Sequence, residues 1–120
     1  MSTQENKLFI RRYFDTFNQG GSTAVADIVA DPHLKEHIAF FEAAFPGYQL
    51  TAKEMIAEGD KVVVDANMQG AHKGELMGHP PTGKQVNVPF IIIYQVSGGK
   101  IVSHHLVADQ VSLMQQLGLA

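Results

Sequence analysis

The chain has 120 residues, enough for one domain with a single buried core and too few for two. Apolar residues make up 45% and charged residues 18%, the profile of a folded globular protein and not of a disordered one. Nine basic against twelve acidic residues give a formal charge of -3 with no basic stripe to track phosphates, which sets nucleic acid aside as a partner. Without cysteine there is no disulfide, thiolate nucleophile or sulfur-bound metal. Residues 1–7 carry no charged region leading into a long apolar stretch, and the longest apolar run, Pro89 to Tyr94, is too short to span a bilayer. The expectation is a soluble cytoplasmic protein with no membrane contact.

From Thr3 to Gln19, Leu8, Phe9, Tyr13, Phe14 and Phe17 recur at helical spacing, and Asn18-Gln19-Gly20-Gly21 is a stop signal. Ser22 can cap a short second helix through Val29. Asp31-Pro32 breaks it before a third helix carries Leu34, Ile38, Phe41 and Phe45 inward, and Pro46-Gly47 ends that one. The period then changes to that of strands. Tyr48–Glu58, a Gly59-Asp60 turn and Lys61 to about His72 read as a hairpin, with Val62, Val64, Ala66 and Met68 on one face. The loop Gly78-His79-Pro80-Pro81-Thr82-Gly83 leads to a second hairpin, Gln85–Val96 and Lys100–Ala108 around Ser97-Gly98-Gly99, and a last helix spans Asp109 to Leu117.

Helices grouped first, then four strands joined by short turns, exclude βαβ units and give a segregated α+β fold: one domain over 1–120, a curved antiparallel sheet wrapped around N-terminal helices. Val88 to Tyr94 is apolar at both parities. Helices can cover only one face of that strand, so the pattern predicts a homodimer through the sheet.

Several stretches taken in order point to a known family. They are Phe41-Glu42-Ala43-Ala44-Phe45-Pro46, Ala57-Glu58-Gly59-Asp60-Lys61-Val62-Val63, the segment from Ala71-His72-Lys73-Gly74 to Pro80-Pro81-Thr82-Gly83-Lys84, and Gly99-Lys100-Ile101-Val102-Ser103-His104-His105 through Asp109-Gln110 to Gln115-Gln116-Leu117-Gly118. The set, over residues 36 to 118, resembles the SnoaL-like polyketide cyclases. The resemblance implies an NTF2-like cone whose characterised members close polyketide rings by an intramolecular aldol reaction without metal or cofactor. They use an acidic residue near the end of the last strand, here Asp109. The chain departs from the family in two places: Ser103-His104-His105 stands where Glu-His-Trp is usual, and a longer strand-and-loop segment is replaced by a direct run from Asp31 to His37.

Asp109 has two readings. A carboxylate at a strand end facing an apolar cavity could abstract an acidic α-proton; the same residue could instead N-cap the last helix. His104 and His105 are adjacent on a strand and face opposite ways. Regular parity groups His105 with Asp109, the family pattern stresses His104, and a bulge would reverse the assignment. The inward histidine would hydrogen-bond a substrate carbonyl or enolate oxygen. An apolar ligand would meet Tyr13, Phe17, Phe41 and Phe45 from the helices and Met68, His72, Phe90 and Ile92 from the sheet. His72 and His79 flank the Gly-Pro loop, either rimming the pocket or facing water.

His33 and His37, spaced i,i+4, could hold zinc, but no HExxH surrounds them and exposed helix histidines are expected, with no metal. Gly78 to Lys84 matches GxxxxGK spacing, yet Gln85 replaces the Ser or Thr of a phosphate loop and two prolines remove amide donors. Asp65 and Asn67 share the parity opposite Met68. The functional expectation is cofactor-independent cyclase, isomerase or lyase chemistry on a small apolar carbonyl compound. The rival is a non-catalytic binding module for a hydrophobic ligand, or a dimeric adaptor. Epoxide hydrolysis would require further pocket carboxylates to activate water, and none is evident.

Overall fold

The computed structural model describes residues 2–119. The elements are α1 Thr3–Gly20, α2 Ser22–Val25, α3 Pro32–Ala44, β1 Gln49–Glu58, β2 Lys61–Ala71, β3 Gln85–Ser97, β4 Lys100–Ala108 and α4 Gln110–Leu117. The strands form one curved, unclosed antiparallel sheet in the order β1-β2-β3-β4. The α+β expectation holds, and the strand boundaries fall within one or two residues of those read from the sequence.

The helix α1 begins with a capping box, Ser2 and Glu5 each accepting the other's amide, a motif worth about 1 kcal/mol. Ile10, Tyr13, Phe14 and Phe17 form its buried stripe. Leu8, expected on that stripe, is 46% exposed. Two polar side chains fasten the helix to the sheet. Asn6 Nδ2 donates to the Gly59 carbonyl at 3.1 Å, and Asn18 both donates to and accepts from the Leu50 backbone, at 2.7 and 2.8 Å. Asn18 thus does for the edge strand β1 what a neighbouring strand would do. At the other end of the sheet Gln116 of α4 grips the Asn87 backbone in the same two-point way, at 2.7 and 2.9 Å.

The second helix is shorter than expected. It stops at Val25, and Val29 forms a parallel bridge with Ile101 on the free edge of β4. Ile101 donates to Ile28 O at 2.8 Å, and its carbonyl accepts from the amides of Ala30 and Asp31 at 2.9 and 3.2 Å. Backbone pairing along that edge outweighs continuation of a helix whose next turn meets Pro32. Asp31 serves as the N-cap of α3, accepting from His33 N at 2.9 Å, with Pro32 in its first turn.

The inner face of β2 is apolar. Val62, Val64 and Ala66 are fully buried and Met68 is 6% exposed, as their shared parity requires. On the outer face Ile56, Ile91 and Val107 are 59%, 43% and 59% exposed. Asp65 and Asn67 lie on that outer side, where Asn67 donates to Asn87 Oδ1 at 2.7 Å.

Gly74 sits where the loop after β2 crosses the end of α3, and its amide bonds to Ala44 O at 3.0 Å. A Cβ there would lie 1.8 Å from Ala43 O, a clash with backbone that no side-chain rotation relieves. Gly74→Ala is therefore expected to cost about 2–4 kcal/mol, read as a lowered urea midpoint at unchanged slope.

Candidate functional site

The helices and the concave sheet form an apolar cavity. Tyr13 of α1, Leu34, Ile38 and Phe41 of α3, Met68, Phe90, Ile92 and Tyr94 of the sheet, and Leu113 of α4 are among its walls. Apart from the hydroxyls of Tyr13, Tyr48 and Tyr94, its polar lining comes from His37, Asp109 and Gln110, all exposed and therefore at the mouth. Phe40 and Met77, 46% and 56% exposed, flank that opening.

Of the side chains expected to meet a ligand, Tyr13, Phe41, Met68, Phe90 and Ile92 line the cavity, and three do not. Phe17 is core, its ring 5.1 Å from Tyr48 and 6.5 Å from Tyr13, behind the cavity wall. Phe45 ends α3 and turns to pack on His72 at 5.5 Å. His72 neither rims the pocket nor faces water. It is fully buried, and its Nδ1 accepts the Thr82 amide at 3.1 Å, which fixes the proton on Nε2 and anchors the Gly-Pro loop to the end of β2. Gly83, with φ 73°, supplies the turn that brings Thr82 there.

The two adjacent histidines are sorted by a bulge. Gln95 pairs with Ser103 but Val96 pairs with Ile101, leaving Val102 as an extra residue in β4. Parity inverts beyond it, so His104, Leu106 and Ala108 turn inward while His105 is exposed on the outer face opposite Ile93. The regular-strand grouping of His105 with Asp109 is overturned by that single residue.

Inward-facing His104 has partners that the sequence did not reveal. Its Nδ1 lies 2.6 Å from Asp31 Oδ2 and its Nε2 lies 2.8 Å from His37 Nδ1. A carboxylate only accepts, so His104 Nδ1–H donates to Asp31. Neutral His104 must then accept at Nε2 from His37 Nδ1–H, which leaves His37 Nε2 with a free lone pair at the cavity mouth. Asp31 is 4% exposed. Burial pushes its carboxyl up, but hydrogen bonds from His104 and the His33 amide outweigh this and hold it below the usual range. Burial, then the neighbouring His104, push His37 below its ordinary 6.5, partly opposed by the Asp31 charge, so His37 is neutral at pH 7.

Asp109 N-caps α4, Oδ1 accepting from Ser112 N at 2.9 Å, and also borders the cavity at its mouth. His33 is exposed and apart from the cavity, and among the described residues no group of three or more His, Cys, Asp or Glu has metal-holding geometry.

A curved antiparallel sheet closed by helices over one apolar cavity defines an α+β protein of the NTF2-like fold. AclR from Streptomyces galilaeus shares it with a TM-score of 0.85 at 24% identity, over 99% of this chain and 84% of that one. TsrD from Streptomyces laurentii gives 0.81 at 20% identity over 100% and 99% of the two chains. A SnoaL-like polyketide cyclase from Agrobacterium tumefaciens gives 0.78 at 19% identity over 98% and 100%. At these identities the likeness is one of fold. No curated protein sequence matches the chain. The model of the SnoaL-like polyketide cyclase family matches residues 7–117, and the chain belongs to that family. No helix among the described residues is long and apolar enough to cross a membrane.

In a ¹⁵N-imidazole NMR titration, His37 is expected to take up its proton with a midpoint below 6.5. Asp31→Asn should lower that midpoint further, since it removes the larger of two nearby negative charges, Asp31 and Glu36, that favour the cation. A His37 midpoint above 6.5 in the wild type would contradict the geometry described.

Proposed function

We propose that the protein catalyses cofactor-independent acid/base chemistry, an aldol cyclisation or isomerisation, on a small apolar carbonyl compound held in the cavity. The observation that carries this reading is the chain of hydrogen bonds from Asp31 through His104 to His37, ending in a free imidazole lone pair on the rim of an apolar cavity. His37 acts as the base. The substrate's α-C–H bond breaks, the proton goes to His37 Nε2, and the electron pair moves onto the carbonyl oxygen as an enolate. In a cyclisation the enolate carbon then forms a C–C bond with a second carbonyl carbon of the same molecule, and the new alkoxide takes the proton back from the imidazolium. In an isomerisation the proton returns to a different carbon. The imidazolium is stabilised through His104 by the Asp31 carboxylate, as in other base–orienter pairs. Asp109 is the second acid/base candidate at the same mouth, free to shuttle a proton with its Oδ2 while Oδ1 caps α4.

Hydrogen–deuterium exchange at the α-carbon of β-keto esters and related ketones in D2O, followed by NMR, tests this. Substrate-selective exchange is expected, falling about 100-fold or more in His37→Gln. Its rate should decline on the acid side with a midpoint below 6.5, where His37 becomes protonated. Exchange lost in Asp109→Asn but kept in His37→Gln would move the base to Asp109. Compounds that bind without any exchange would make the protein a carrier of hydrophobic ligands.

The outer sheet face supports a homodimer. Ile91 and Val107 are cross-strand partners, and with Ile56 they leave an exposed apolar area across three strands, the kind of surface a second copy covers. Ile91→Lys is expected to convert a dimer to a monomer in light scattering, with the His37 titration unchanged.

A further inference from the structure

The cavity has two chemically different ends. At its mouth stand His37 and Asp109; deep inside are all three tyrosines of the chain, Tyr13, Tyr48 and Tyr94, only 2%, 6% and 2% exposed. They come from α1, the residue before β1, and β3, and the Tyr13 and Tyr94 rings meet edge to face at 5.7 Å. None of the three hydroxyls hydrogen-bonds to another described residue. The occluded side-chain polar atoms without a partner are Asn6 Oδ1, Asn67 Oδ1 and His72 Nε2. The phenol oxygens are not among these occluded atoms, and all three tyrosines line the cavity. Burial pushes all three phenols up, and Tyr13 and Tyr48 add to the effect on Tyr94, so each is an O–H donor at neutral pH.

A phenol that only fills core space is commonly Phe, and a buried hydroxyl left without a partner disfavours the folded state. Three such donors converging in a wall that is otherwise apolar make a polar subsite completed by a ligand. We propose that Tyr13, Tyr48 and Tyr94 form the deep end of the binding site and receive a hydrogen-bond-accepting oxygen of an apolar ligand, a ketone carbonyl remote from the carbon that reacts at the mouth. The ligand class is therefore a largely hydrocarbon molecule with oxygens at two ends: one for the tyrosines, one activating the C–H bond presented to His37. The subsite deepens the proposed reaction by naming its substrate class, and rests on that reading only in placing the reacting end at the mouth.

Equilibrium binding separates the two claims, because it needs no turnover. The probes are 1-tetralone and tetralin, which differ by one carbonyl oxygen. Wild type is expected to bind tetralone at least about 5-fold more tightly, with the infrared C=O stretch of bound tetralone shifted to lower wavenumber. Tyr13→Phe and Tyr94→Phe should each reduce that preference and the stretch shift while leaving tetralin affinity unchanged or raised. Tyr→Phe keeps the ring, and a thermal melt checks that the fold is kept. A preference that survives in the triple Phe variant, or that disappears in His37→Gln instead, overturns the subsite, as does failure of tetralone to bind at millimolar concentration. Loss of α-proton exchange with tetralone preference intact would sink the reaction and leave the subsite standing.

Discussion

The arrangement at the cavity mouth depends on how the free edge of β4 is closed. Ile101 gives both its amide and its carbonyl to residues 28–31, and that pairing ends the second helix early and delivers Asp31 to the sheet. One residue later Val102 bulges and inverts the strand, so that His104 arrives on the same side. Neither device suffices alone. Without the bridge, Asp31 would be a helix cap in solvent; without the bulge, His104 would face outward and His105 would meet the cavity. Together they place a carboxylate 2.6 Å from an imidazole that lies 73 residues away in the chain.

The apolar core and the polar mouth divide labour along the length of the cavity. Water is excluded by walls whose burial follows from strand parity and from the helical stripe of α1. In such surroundings a charge interacts over longer range than in water, and the buried Asp31 carboxylate meets His104 there while His37 stands at the exposed mouth. The side-chain amides of Asn18 and Gln116 keep the container rigid. Each occupies the place of a missing strand, one on β1 and one on β3, so a four-stranded sheet is finished without closing into a barrel.

Much of this was legible in the sequence. Alternation along Val62 to Met68 fixed which face is inner, Pro46-Gly47 and Gly59-Asp60 marked real turns, and the family resemblance pointed to the fold. The site was legible only in part. Asp109 reads from the sequence as a strand-end residue or helix cap and His37 as exposed, as both are, but the contacts of His104 with Asp31 and His37 arise from pairings across 73 and 67 residues that no local period records. The choice between His104 and His105 stayed open because parity arithmetic has no means of seeing an extra residue. His72 was misplaced for a related reason: its partner is a backbone amide, and an amide carries no signature of its own in the sequence. Phe17 and Phe45 could be assigned to an enclosed interior, but whether an enclosed ring borders empty space or another ring is decided by three-dimensional packing.

The two oxygens of Asp31 have separate employments, one capping α3 and the other receiving His104. Asparagine caps a helix about as well as aspartate, and it differs from it by a single base in the codon. A lineage carrying this architecture can therefore retire the carboxylate while keeping the helix, the cavity and the tyrosines intact. In the proposed mechanism, chemistry and ligand retention are separable by one inherited change, and the step between them leads through a folded protein.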